Sequence, residues 1–226
     1  MSQLVFKFPF KTKYYEQDYY VSSNNFSAYK LIEGWPNWPD KWVNIYGPSG
    51  CGKTHLSEVF RDRANAQSIT HRELSDYIIR DPGESFGAWI LEDADNYLSL
   101  HSPTPLFHLF NQVKEGGGAL LISARSAPAR WPISLNDLRS RINASQSVSI
   151  LPPDDELLAA VLLKHFSDRQ LRVSADVVIY AVKRIERSFR AIRKLVESLD
   201  HLSLTTRREI TVPLVRKVLM QKKTSD

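Results

Sequence analysis

"IYGPSGCGKTHLSEVF", Ile45 to Phe60, joins an apolar run to an amphipathic one through three glycines, a lysine and a threonine. Gly47, Pro48, Ser49, Gly50, Cys51, Gly52, Lys53 and Thr54 fit G-x-x-x-x-G-K-[ST] in full, after a predicted strand and at the head of a predicted helix. Glycines at these places let the backbone curl so that successive N–H groups point at phosphate oxygens. The helix N-terminus adds partial positive charge at the same spot. In such a loop Lys53 reaches the β- and γ-phosphates and Thr54 offers its hydroxyl to Mg2+.

Working outward, "WVNIY" (42–46), "AWIL" (88–91), "ALLIS" (119–123) and "SVSIL" (147–151) are predicted strands, with "SIT" (68–70) a further candidate. Unbroken apolar runs of this kind suit strands buried on both faces of a parallel sheet. "THLSEVFRDRANA", "RELSDYIIRD", "PTPLFHLFNQVKE" and "NDLRSRI" read as helices between them, and the alternation predicts an α/β domain. At Pro152-Pro153 the pattern changes to helical spacing alone. "DDELLAAVLLKHFSDR" opens with acids suited to a helix N-terminus, "SADVVIYAVKRI" follows a candidate serine cap at Ser174, and "TVPLVRKVLMQ" supplies a last helix. In "SFRAIRKLVESLDHL", Phe189, Ile192, Leu195, Val196, Leu199 and Leu202 make one apolar stripe from which Arg190 and Arg193 fall away. The expected division is an N-terminal peptide over 1–10, an α/β nucleotide-binding domain over 11–151 and a helical unit over 152–226.

A phosphate loop needs a carboxylate at the end of a neighbouring strand to hold magnesium, directly or through water. "AWILEDAD" supplies Glu92 and Asp93 in succession, with Asp95 opening the next segment. "ALLIS" ends in Ser123, which fits a hydroxyl approaching the γ-phosphate and a plain strand-ending serine equally well.

At 226 residues the chain has room for one sizeable core or a core with a satellite domain. Its 42% hydrophobic and 24% charged residues argue against disorder or a fibre. No run of about 18 apolar residues occurs, so no membrane contact is predicted, and "MSQLVFKFPFKTK" is unlike a signal peptide. The single cysteine, Cys51, excludes an intrachain disulfide and suits a cytoplasmic chain. The six histidines fall in no metal-ligand spacing, so none is predicted to bind metal. A net charge of +5 permits contact with nucleic acid, although the basic residues are interspersed with acids.

With these residues in hand, the chain resembles the AAA+ ATPases, and among them the DnaA-related adaptor family Hda. The resemblance runs through "DYYVSSNNFSAYKLI", "IYGPSGCGKTHL", "ILEDAD", "LLISARSAPARW", "NDLRSRI", "LPPDDELLAAVL" and, most specifically, "ERSFRAIRKLVESLDHLSLTTRREITVPLVRKVL". It implies an AAA+ P-loop domain with a parallel central sheet and a small helical lid, holding ADP or ATP with Mg2+. Carried over, it makes Gly47 to Thr54 the Walker A loop, with His55 beside it, and Glu92 and Asp93 the Walker B carboxylates. Ser123 falls on sensor 1, Arg141 on the arginine finger, Arg190 on sensor 2, and Val21 and Asn25 on the segment lining the adenine pocket. Glu92-Asp93 stands where the initiator has an aspartate pair, and Ala124-Arg125 follows Ser123 where an aspartate-arginine pair is common. Weak intrinsic hydrolysis is therefore expected. The initiator's DNA-reading domain has no room after residue 226, so sequence-specific DNA binding is not expected.

Gln3-Leu4-Val5-Phe6-Lys7-Phe8 is similar to the short peptide by which Hda docks on the sliding clamp. Glutamine can satisfy a polar pocket rim while Leu4, Phe6 and Phe8 fill an apolar groove. The resemblance thus implies an adaptor in the cytoplasm, nucleoid-associated through the clamp, whose partners are DnaA, the DNA polymerase sliding clamp (beta), DNA through that clamp, and in one possible assembly a second copy. Its role would be to stimulate ATP hydrolysis by DnaA and so repress re-initiation of replication. A DNA-stimulated AAA+ ATPase or helicase loader is the alternative. A small phosphotransferase would need an acceptor pocket that the sequence does not supply.

Overall fold

In the computed structural model, residues 16–77, 87–206 and 209–222 are described. The Gln3 to Phe8 peptide lies outside them. The five apolar runs form one sheet, β1 (Trp42–Tyr46), β2 (Gln67–Ile69), β3 (Ala88–Leu91), β4 (Ala119–Ala124) and β5 (Gln146–Ser149). All pairings are parallel, in the order β2-β3-β4-β1-β5. Every residue of central β4 is buried, as a strand covered on both faces requires.

Side chains alternate between two cores. Val43, Ile45, Ile90 and Leu121 meet Leu56, Val59 and Phe60 of α2 (Lys53–Ala64) and Ala28, Leu31 and Ile32 of α1 (Phe26–Glu33). Leu91, Leu120, Ile122 and Ala124 face the other layer, built from α3 (His71–Tyr77), α4 (Ala94–Leu100), α5 (Thr104–Glu115) and α6 (Asn136–Ala144). Trp35, Trp38 and Phe60 pack ring against ring beside the first core, with Trp38 stacked on Phe60 at 4.8 Å.

Two helices carried no predicted element. α1 starts at Asn25, whose side chain makes no cap bond to the helix, and α4 has only seven residues. The predicted strand over 147–151 is shifted to 146–149, because β1 offers partners only from Val43↔Gln146 to Tyr46↔Ser149. Beyond that the Leu151 N–H turns aside to the Asn24 carbonyl at 3.0 Å.

The remaining helices are α7 (Asp155–Asp168), α8 (Ala175–Val182), α9 (Phe189–Thr206) and α10 (Val212–Lys222). Asp154 caps α7 by accepting the Leu157 N–H at 2.8 Å, an arrangement worth about 1 kcal/mol. Ser174 occupies the N-cap position of α8, but its hydroxyl makes no cap bond. The stripe of α9 enters a third core with Leu158, Leu162, Phe166, Val177, Ala181, Val215 and Val218.

Candidate functional site

The loop from Gly47 to Gly52 leaves the C-terminal end of β1, where Gly47 N–H donates to Ala124 O of the neighbouring strand at 3.1 Å. A Cβ at Gly47 would stand 2.2 Å from the Ile150 carbonyl oxygen, so only glycine fits. Gly50 and Gly52 have φ of 76° and 108°, a backbone region that side chains strain. Lys53 is buried and its ammonium donates to the loop's own Gly47 and Pro48 carbonyls at 2.7 and 3.0 Å. Pro48, Ser49 and Thr54 face solvent. Cys51 points inward, and burial pushes its thiol up, away from thiolate reactivity.

The helical unit closes over this loop. Phe189 N–H donates to Gly50 O at 2.9 Å, and a Cβ at Gly50 would come within 2.7 Å of the Ser188 Cβ. Ser188 Oγ accepts the Ala191 N–H at 3.1 Å and so begins α9. The Phe189 ring lies 3.3 Å from a Cβ built on Gly52. Arg190 is exposed, with its Cβ 3.5 Å from the same construction at Gly50. Arg187 ties the joint, donating to Pro153 O at 3.2 Å and to Asp155 at 2.7 Å.

Before α1, the Asn25 side chain accepts the Ser22 N–H at 2.7 Å and donates to Tyr20 O at 2.9 Å. Its polar atoms therefore shape the loop that carries exposed Val21. Tyr19 is buried beside this loop, and its ring meets His55 edge-on at 5.1 Å. Burial first of all pushes the Tyr19 phenol far up.

On the next strands, one Glu92 carboxylate oxygen is buried with no hydrogen-bond partner, and the Glu92 backbone carbonyl accepts from the His71 ring at 2.8 Å in the donor tautomer. Asp93 opens α4 with φ of 50°, its N–H reaching Ser123 Oγ at 3.4 Å and its carboxylate 3.7 Å from Arg125. Asp95 accepts from Arg125 N, Ser126 N and Ser126 Oγ at 3.0 to 3.1 Å, which fixes the turn after β4. Ser123 itself is buried. An unpartnered buried carboxylate oxygen fits a metal ion or its water, and exposed Thr54 fits the matching hydroxyl ligand. Among the described residues no three His, Cys, Asp or Glu side chains gather into a metal-ligand set, so a magnesium ion here would draw on phosphate oxygens and water as well.

Arg141 stands elsewhere. It lies in the last turn of α6, which runs directly into Gln146 at the start of β5, whereas the phosphate loop leaves the far end of β1. A strand length of about 13 Å separates those two edges of the sheet. Its guanidinium donates to Asn111 Oδ1 at 2.5 Å and lies 4.7 Å from the Phe107 ring, both on α5. Phe107, Asn111, Tyr19 and Ser188 were assigned no role in the sequence, and Phe189 entered only as the first residue of the apolar stripe of α9.

Residues 154–219 match the family model described as Hda, lid domain. The chromosomal replication initiator protein DnaA of Thermomicrobium roseum is 25% identical over 233 residues, covering 92% of this chain and 50% of that protein. Domain III of the replication initiation protein DnaA from Thermotoga maritima matches with a TM-score of 0.79 at 18% identity, over 95% of this chain and 98% of that one. The chain as a whole has the fold of DnaA domain III, and its last helices match the Hda lid domain. AMPPCP-bound DnaA from Aquifex aeolicus shares the fold at a TM-score of 0.70 and 17% identity, over 87% of this chain and 67% of that one. The chain spans half the length of its Thermomicrobium relative. Among its described residues, no helix is long and apolar enough to cross a membrane.

Proposed function

We propose that this chain is a cytoplasmic replication adaptor that holds ADP or ATP with Mg2+, docks on the DNA-loaded sliding clamp, and stimulates ATP hydrolysis by DnaA. The observation that carries this reading is the position of Arg141. It lies in the last turn of α6, which runs into the start of β5, whereas the phosphate loop leaves the opposite end of β1, and this placement favours a nucleotide held by another protein. Inserted toward the γ-phosphate on DnaA, it stabilises charge that develops in phosphoryl transfer, a device worth about 10³ to 10⁵ in rate in GTPases.

The chain's own nucleotide occupies the loop from Gly47 to Thr54. Lys53 exchanges its two carbonyl contacts for phosphate oxygens, Thr54 and Glu92 take the metal or its water, and Asp93 and Ser123 lie where the γ-phosphate ends. Arg190 approaches from the lid, and Val21, Asn25 and His55 border the base. The AMPPCP-bound Aquifex DnaA, which shares the fold, supports a nucleotide at this loop. Gln3, Leu4, Val5, Phe6 and Phe8 form the clamp peptide, ahead of a nucleotide-binding domain to residue 151 and a lid from residue 152. Attachment to loaded clamps concentrates the adaptor on replicated DNA at the nucleoid, and a homodimer is compatible with the same AAA+ edges.

The test is ATP hydrolysis by cognate DnaA with clamp loaded on DNA, comparing wild type with Arg141→Ala, Gln3→Ala and Lys53→Ala. Stimulation by wild type, lost in each folded variant, is the expected result. Unchanged DnaA turnover, with ATP hydrolysis by this chain alone rising on DNA, would replace the adaptor with a DNA-stimulated ATPase.

A further inference from the structure

Tyr180 on α8 is clasped by two arginines. The Arg184 guanidinium lies 4.0 Å over its ring, and Arg216 of α10 lies 5.8 Å from the centroid with Nε donating to the Tyr180 hydroxyl at 3.1 Å. The guanidinium carbons are therefore at most about 10 Å apart, close to the Debye length of about 8 Å at physiological salt. Both arginines are exposed, as are Lys183 and Lys217, their neighbours in sequence.

Arg61, Arg63, Arg125, Arg169 and Arg187 find carboxylates, whereas Arg72, Arg130, Arg139, Arg141, Arg172 and Arg190 pair with none among the described residues. Arg184 and Arg216 form no ion pair with any described residue, although Asp176 stands one turn before Tyr180 and Glu186 two residues past Arg184. Two like charges held together on a ring, with no ion pair to a described carboxylate, are complementary to a polyanion. Arginine forks match phosphate oxygens in particular.

We propose that the Arg184–Tyr180–Arg216 clasp, with Lys183 and Lys217, is a contact surface for the phosphate backbone of duplex DNA, independent of base sequence. Arg184 covers the phenol ring, so Tyr180 is spent on posing the arginines and does not serve as a platform for an unstacked base. Duplex DNA offers one charge per roughly 1.7 Å of axis, so a patch of this width meets several phosphates at once. The surface belongs to the lid and needs neither the phosphate loop nor Arg141. It is a second hold on DNA beside any hold through a clamp.

The test is fluorescence anisotropy of a labelled duplex with the full chain and no clamp, across a salt series, with the same-length single strand and poly-glutamate as further probes. Arg184→Ala/Arg216→Ala is expected to weaken duplex binding about tenfold at low salt and to flatten the log K against log salt slope by about 2. Arg184→Lys/Arg216→Lys keeps the charge and is expected to retain most of the slope, which separates loss of contact from loss of fold. Equal duplex affinity and slope in wild type and the alanine variant would overturn the proposal. So would tighter binding to the single strand, or capture of poly-glutamate in place of the duplex.

Discussion

Removing the Asn111 amide probes whether Arg141 is held ready or merely present. Arg141 Nη1 donates to Asn111 Oδ1 at 2.5 Å, and the Phe107 ring backs the guanidinium at 4.7 Å. A hydrogen bond with one charged partner contributes about 1.5–3 kcal/mol net, and solvent at this half-buried side chain draws it to the lower end. Losing it in Asn111→Ala leaves the cation–π contact, about 0.5–1 kcal/mol, as the remaining restraint. If the restraint sets the fraction of fingers in the inserting pose, a loss of about 1.4 kcal/mol lowers that fraction about tenfold. The assay is DnaA ATP hydrolysis on clamp-loaded DNA, titrated with the variant. Maximal stimulation is expected to fall about five- to tenfold, while the concentration giving half-stimulation stays within twofold. In the Arg141→Ala background the same substitution is expected to add nothing, since both changes act through one side chain. Full stimulation by Asn111→Ala, or an equal further loss without Arg141, refutes the reasoning.

Gly50→Ala is expected to lower unfolding stability by about 1–2 kcal/mol from the left-handed backbone alone, with φ at 76°. Because the new methyl meets Ser188 at 2.7 Å, it should also lift the lid, seen as faster hydrogen exchange at the start of α9; unaltered exchange there would contradict this packing. His165 is held below its ordinary value of 6.5, first by burial and then by Arg169 and Arg193. The unfolded chain then binds the proton more readily, so the contribution is complete above about pH 6.5 and is lost as pH falls through the lower folded value. Urea midpoints between pH 7.5 and 5 are expected to drop for wild type and to stay flatter for His165→Gln.

How much of this was legible depended on the range of the interaction. The phosphate loop is local, since its glycines, lysine and threonine lie within eight residues, and the apolar runs of β1, β3 and β4 announce two-sided burial. The stripe on α9 is likewise periodic and was read residue by residue. What escaped was set across the sheet. Asn111 and Arg141 are 30 residues apart, and Asp95 reaches Arg125 and Ser126 over a similar gap, so neither pairing leaves a periodic trace. α4 is short, and its acids read as a strand end because Asp93 turns the chain through a left-handed residue that pattern does not reveal. Tyr19 and Phe189 looked like ordinary apolar positions until the fold brought both beside Gly52.

The bond from Phe189 N–H to Gly50 O joins main chain to main chain. It fastens the first residue of an 18-residue helix to the loop. Such a helix is about 27 Å long. Ile192, Leu195, Val196 and Leu199 lock that helix into the lid core, so the loop is fastened to the lid as one packed body and not to a free strand of chain.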